Sequence, residues 1–218
     1  MLEYFAMVIS YLGAESFKIQ FGETVIAYNP ISKDSSFKST KYGADIVLIS
    51  TNHPDFNGAE NAARGDREPF IVNSPGEYEI GGIFIRGYLS KSQYDGDRLN
   101  TIYLLSLENM NLCFLGALDS TESIDTATKE ALDDIDVLFV PIGGEGVLSA
   151  AEAYKLSVKL GPKLIIPMHY GEGLSKEALK VFLKEGGEEK VEAQDKLTLK
   201  KKDLEGKDGD IAVLSASV

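Results

Sequence analysis

A chain of 218 residues sits within the size of one large domain, so residues 1–218 read as a single domain able to bury a sizeable core. With 44% apolar and 26% charged residues and no apolar run near the roughly 18 residues that cross a bilayer, the composition excludes a membrane-spanning chain. Lys and Arg number 22 against 34 Asp and Glu, and the resulting charge of −12 repels polyphosphate chains and argues against a nucleic-acid partner.

The opening MLEYFAMVISYLG lacks the basic start and small-residue cleavage site of a secretory signal, so a cytoplasmic protein is expected. Short β-rich runs bounded by Gly, Pro and Asn fill the first half: MVISYLG, SFKIQFG, TVIAYNP, ADIVLIS, EPFIVNS, YEIGGIFIRGYL, NTIYLLSL and MNLCFLG. Gly-Glu in SFKIQFGETVIAYNP and Glu-Asn in IYLLSLENMNLCFLG separate alternating segments and predict two antiparallel hairpins. The lone Cys113, within NLCFLG, reads as a buried thiol in a reducing compartment. After Leu118 helix and strand alternate: a helix over residues 126–135, strand VLFVP, helix SAAEAYKLSVKL, strand KLIIP and helix SKEALKVFLKE. Ser149, with Glu152 at capping-box spacing, predicts one N-cap, and Ser175 predicts another. The chain ends on strands KLTLKKKDL and DIAVLSA, and the lysine run 200–202 reads as solvated surface. Strands, then strands alternating with helices, then strands, with no linker or repeat, indicate one α/β domain built on two packed sheets.

Both histidines follow apolar strands, His53 after ADIVLIS and His169 after KLIIP. The carboxyl ends of buried strands are where α/β folds place ligands. Asp55, two residues past His53, adds a carboxylate to the same loop, and the two donor types together suit a divalent metal. Gly143 and Gly144 in PIGGEG could cradle an anion ahead of the helix at Ser149; a tight turn needing positive φ is the preferred reading. Tyr94 and Tyr170 could line a pocket but read first as core or rim residues.

ADIVLISTNHPDFN resembles the strand and metal loop of the metallo-β-lactamase fold, in particular the branch similar to L-ascorbate-6-phosphate lactonase and related metal-dependent hydrolases. That loop reads His-x-His-x-Asp-His. Further segments follow in the family's order: LGAESFKIQFGETVIAYNP resembles its opening hairpin and GEYEIGGIFIRGY its middle strands. NTIYLLSLENMNLCFLGALDS resembles its central hairpin, DIDVLFVPIGGEGVLSAAEAYKL its Gly-Gly loop and helix, and KLIIPMHYG its last metal strand. The resemblance runs from about Met7 to Gly171 and implies an αββα sandwich of two packed mixed β-sheets flanked by helices.

It also implies a depleted metal centre. On the loop, Thr51 stands at the first His position, His53 at the second, Asp55 at the Asp and Phe56 at the last His. In the central hairpin, FLGALD puts Phe114 at a His position and Ala117 at the position of the Asp that bridges two metals. Ser92 or Gln93 stands nearest another lost His, Ala14 replaces the opening His, and Asn29 replaces the Asp before Pro. His53, Asp55 and His169 remain as remnant ligands, His53 from the first metal and the other two from the second. Neither set reaches the three protein ligands of a catalytic zinc. The expectation is a packed centre occupied by Phe56, Phe114 and Ala117, with no catalytic or cofactor-binding residue and no metal cofactor. The chain then reads as a non-catalytic binding or scaffold homologue of the hydrolases, whose partner is an unknown small molecule or protein, with no membrane and with self-association left open. The alternative is an active hydrolase of phosphoesters or lactones holding zinc or another divalent metal. Its centre would be rebuilt at His53, Asp55 and His169, with carboxylates drawn from Asp119, Glu77, Glu79, Asp95 or Asp97.

Overall fold

Alternation of apolar and polar residues builds the first three strands into an antiparallel meander, β1 (Met7–Gly13), β2 (Ser16–Phe21) and β3 (Thr24–Tyr28). The computed structural model describes residues 6–65, 68–171, 173–188 and 191–217, so the first five residues of the opening segment lie outside it. Parallel strands β4 (Ile46–Leu48) and β5 (Phe70–Val72) extend this sheet on one side. The second sheet begins with a continuous antiparallel run, β6 (Gly76–Ile80), β7 (Ile83–Ser92), β8 (Arg98–Leu107) and β9 (Met110–Phe114). It continues with parallel strands β10 (Val137–Pro141) and β11 (Leu164–Met168). Near the C-terminus, β12 (Leu197–Leu199) closes the first sheet beside β1 and β13 (Asp210–Ile211) closes the second beside β11. The orders are β12-β1-β2-β3-β4-β5 and β13-β11-β10-β9-β8-β7-β6, two mixed sheets. Both expected hairpins form, with Ile19 opposite Ile26 and Leu105 opposite Leu112.

The inner faces pack together through Tyr11, Phe17, Ile19, Leu48, Tyr103, Leu105, Phe114, Phe139 and Ile166. Each such side chain stabilises by about 1.5–3 kcal/mol on burial, so this interleaved layer dominates the fold. Helices α1 (Thr126–Ala131), α2 (Ala150–Leu160) and α3 (Ala178–Glu185) cover the outer face of the seven-stranded sheet. That covering is why β10 and β11, apolar on both sides, are buried at every position. The outer face of the six-stranded sheet, Val25, Ala27 and Val47, is closed by Tyr42, Ala44 and Ala62 from a loop with one 3-10 turn.

Ser149 caps α2 as expected, with the reciprocal hydrogen bonds to Glu152 of a capping box. Three local expectations give way. Ser175 does not cap α3, which starts after Glu177 with no side-chain cap; the Ser175 carbonyl instead accepts from Gly171 N–H. The helix expected to residue 135 stops at Ala131, because Asp134 turns left-handed at φ 48° and sends Ile135 into the core as loop. KLTLKKKDL is strand only to Leu199 and then a 3-10 turn. That turn brings Lys201 Nζ to 2.7 Å from Asp136 Oδ2, a carboxylate with no exposed surface, so one lysine of the run, itself still exposed, also anchors the fold.

Candidate functional site

β4 and β11 end on the same edge of the sandwich, one from each sheet, and their following loops carry His53, Asp55 and His169 into one cleft. The geometry shows it through Tyr94: its ring centroid lies 5.2 Å from that of His53 and 5.0 Å from that of His169, nearly perpendicular to both. Its hydroxyl donates to Asp55 Oδ2 at 2.7 Å. Phe56 completes the cluster at 5.1 Å from Tyr94, 5.8 Å from His53 and 6.2 Å from His169. Ala117 and Val147 close the apolar patch around Phe56. Burial, and then the hydrogen bond to Asp55, push the Tyr94 hydroxyl well above the ordinary phenol range, so it stays a donor.

The two histidines have different surroundings. His169 is 2% exposed, and its Nδ1 donates to Glu15 Oε1 at 2.8 Å, Glu15 being fully enclosed. Glu15 Oε2 accepts from Asn29 Nδ2, which also donates to Ser50 Oγ, while Ser50 N–H returns to Asn29 Oδ1. This network has no sequence signature: Glu15 lies at the tip of an apolar hairpin, where a solvated charge is the ordinary expectation. His53 sits at the rim. Its Nδ1 accepts from Asp55 N–H, which leaves the proton on Nε2, 3.3 Å from Asp95 Oδ2. Arg98 fixes that rim by donating to the carbonyls of Tyr94, Asp95 and Asn52 and to the Asp95 carboxylate. Asp55 accepts from Ser35 Oγ at 2.5 Å on its other oxygen.

Asn100, which opens the apolar run NTIYLLSL, joins the remaining loops. Its Oδ1 accepts from Thr51 Oγ1 and from Ala117 N–H, both at 3.0 Å, while its Nδ2 donates to Ser90 Oγ and the Leu115 carbonyl. Gly116, at φ 62°, has no room for a side chain, since a Cβ would lie 2.4 Å from Asn100 Oδ1. A buried Asn leading an apolar strand is the one signal that could have found this brace.

Several sequence expectations change here. Phe114 does not enter the cleft: it is the last inward residue of β9 and stacks between Tyr28 and Phe139, each centroid 3.9 Å away. Of the carboxylates considered for a rebuilt centre, only Asp95 reaches a remnant ligand. Asp119 accepts from Ser123 at 2.5 Å, Asp97 from Gln93, and Glu77 faces Arg86 on an exposed strand. Among the described residues no three His, Cys, Asp or Glu are grouped to hold a metal. Gly143 and Gly144 form a turn, the Gly144 amide donating to the Leu148 carbonyl, and a Cβ on Gly143 would lie 2.5 Å from the His169 carbonyl. Backbone strain marks the same region: Ala14, Asn29 and His169 hold φ of 48°, 43° and 62°. Left-handed backbone at non-glycine residues costs about 1–3 kcal/mol and concentrates at functional sites.

Two packed mixed sheets with flanking helices and a cleft at the strand ends match the metallo-β-lactamase fold. The chain matches the model of the Beta-lactamase superfamily domain over residues 8–169 and belongs to that family. It is similar to a UPF0173 metal-dependent hydrolase of Listeria welshimeri, 26% identical over 196 residues, covering 75% of this chain and 85% of the relative. A UPF0173 metal-dependent hydrolase of Natranaerobius thermophilus is 22% identical over 188 residues, covering 75% and 83%. Among solved structures, a Zn-dependent hydrolase of the metallo-β-lactamase superfamily from Thermotoga maritima aligns at TM-score 0.75 and 26% identity, covering 95% of this chain and 98% of that one. A metal-dependent hydrolase from Parabacteroides distasonis aligns at TM-score 0.64 and 18% identity, over 96% and 94%, and shares the fold.

Proposed function

We propose that this chain is a non-catalytic binding member of its family, in which side chains tie together the loops that ions hold in metal-dependent relatives. The placement of Tyr94 carries the reading. A zinc site needs donors converging to about 2.0–2.2 Å of one point; here an aromatic ring packs against both His53 and His169 and its hydroxyl takes up Asp55. The donor set does not fit a divalent ion. His53 is engaged through both nitrogens and Asp55 through both oxygens, so of the three remnant ligands only His169, whose Nδ1 donates to Glu15, still offers a donor, Nε2, and one donor does not hold an ion. Asn100 links Thr51 to Ala117, two positions where the resemblance puts ligands. Apolar walls from Phe56 and Val147 further disfavour an unshielded charge.

The partner is a small molecule or a protein, and the charge of −12 favours neither nucleic acid nor an anionic surface. The single cysteine, Cys113, is buried and free, which suits a reducing compartment, and on that ground we place the protein in the cytoplasm; among the described residues no helix is long and apolar enough to cross a membrane.

The test is metal content and turnover. Protein purified after zinc, manganese or iron supplementation should contain far less than stoichiometric metal and should not hydrolyse phosphodiesters or lactones. Restoring Thr51→His, Phe56→His and Ala117→Asp should recover little metal binding until Tyr94→Ala is added, because the ring stands among the donors. Stoichiometric metal in the wild type, with turnover lost on His53→Ala or His169→Ala, would establish the hydrolase instead.

A further inference from the structure

A groove of about 900 Å3 opens beside the cleft, within the span of small-molecule sites, about 300–1,000 Å3. It runs between the tip of the first hairpin, the loop of residues 36–38, the turn after β11 and the C-terminal residues 213–216. Its walls are chiefly apolar, with Phe37, Tyr170 and Leu179 partly exposed and Tyr11, Val213 and Leu214 buried behind them. Tyr170 presents ring rather than hydroxyl, because it donates to the Leu214 carbonyl at 2.9 Å, and the buried Tyr11 behind the hairpin tip donates to the Ala14 carbonyl at 2.8 Å. Phe37 is held against glycine backbone: a Cβ on Gly173 would lie 2.7 Å from its ring.

Lys38 is the one cation among the described lining residues, and no carboxylate stands among them. It is exposed and makes no ion pair with any described residue. In a chain of net charge −12, an exposed ammonium without an ion pair to any described residue sets a positive charge beside the apolar walls of this groove. That pattern complements a ligand with one anionic head and an apolar body, since the head gains a charge-assisted hydrogen bond while the body displaces water from the walls.

We propose that this groove binds a free amphipathic carboxylate, an alkyl or aryl acid, with its carboxylate on Lys38 and its apolar part along Phe37, Tyr170 and Leu179. The proposal rests on the reading of the chain as a binding protein and names the class of ligand. No bond is made or broken.

The experiment follows dansyl-undecanoate fluorescence on the whole chain, with decanoate and decanol as competitors. Saturable binding displaced by decanoate is expected, with decanol competing about tenfold less well and Lys38→Glu weakening affinity by about tenfold. Ser36→Trp, which places an indole in the groove from an exposed loop, should block binding while leaving the thermal unfolding curve unchanged. Absence of saturable binding, affinity unchanged by both substitutions, or binding to anionic vesicles without binding to free decanoate would overturn the proposal. Zinc content measured on the same sample separates the two readings. Metal-loaded protein that binds decanoate in this way overturns only the non-catalytic reading, and metal-free protein that does not bind overturns only this one.

Discussion

Phe114 and Phe56 both stand where the family resemblance places a histidine, and they have opposite fates. Phe114 ends β9, where Met110, Leu112 and Phe114 face the opposing sheet and Cys113 faces the helices, so the period of two carries its ring into the inter-sheet core. Phe56 lies in a loop with no such periodicity and turns into the cleft beside Ala117 and Val147. Strand register, not residue type, decides whether an aromatic ring at a former ligand position stabilises the sandwich or fills the site.

That contrast sets the largest expected effect. Phe114→Ala removes a ring stacked on both faces and should cost about 3–5 kcal/mol by urea denaturation. Phe56→Ala should cost less, because its cluster borders a cleft into which water can relax. Equal losses would mean that the cleft is as closely packed as the core.

The same comparison applies to the two histidines, one enclosed and one at the rim. Glu15→Ala strips His169 and Asn29 of a buried acceptor and should cost about 2–3 kcal/mol, from unsatisfied donors rather than from charge. Asp95→Ala, whose side chain is 70% exposed, should leave the urea midpoint almost unmoved, since a solvated pair contributes little. A large loss from Asp95→Ala would show that the rim carries structure as well.

Legibility followed the same division. Both hairpins, the strand ends bearing His53 and His169 and the Ser149 cap were readable because each rests on local periodicity or a short motif. β10 and β11 were readable as unbroken apolar runs. Glu15 and Asn100 were not, and Tyr94 was legible only as a pocket, core or rim residue, because what fixes them is partners far away in the chain: Glu15 meets His169, Asn100 meets Thr51 and Ala117, and Tyr94 meets Asp55. The misplacement of Phe114 has a different origin. The resemblance located the position in the chain but not the face of the strand, although the alternation in MNLCF held that information.

Asp136 gives a pH test of a region remote from the cleft. Burial opposes its charge, but hydrogen bonds from Lys163, Lys201 and Asn111 N–H outweigh it, so the carboxyl is held below its usual value of 3.8. A depressed folded pKa supplies stability that is fully present above the unfolded value and is lost as pH falls through the folded one. Asp136→Asn should therefore be less stable than wild type at neutral pH, and the gap should narrow below about pH 4. A gap that stays constant down to acid pH would mean that packing, not charge, makes the difference.

The smallest effect expected concerns the Tyr94 hydroxyl. Tyr94→Phe keeps the ring between the two imidazoles and removes only the donor to Asp55, which retains Ser35; the loss should be about 1 kcal/mol. Tyr94→Ala should cost more, because His53, His169 and Phe56 all lose the ring they pack against. The pair of variants separates the two contributions, and a spectroscopic titration adds a check that packing alone would not move. Since burial and Asp55 hold the Tyr94 proton well above the ordinary phenol range, the absorbance difference between wild type and Tyr94→Phe should show no phenolate near pH 10, the usual tyrosine value. The missing phenolate signal should appear only when alkali unfolds the chain. Ionisation of Tyr94 at its ordinary pH in the folded protein would mean that the ring is loosely seated in water, and a loosely seated ring would leave the cleft open to an ion.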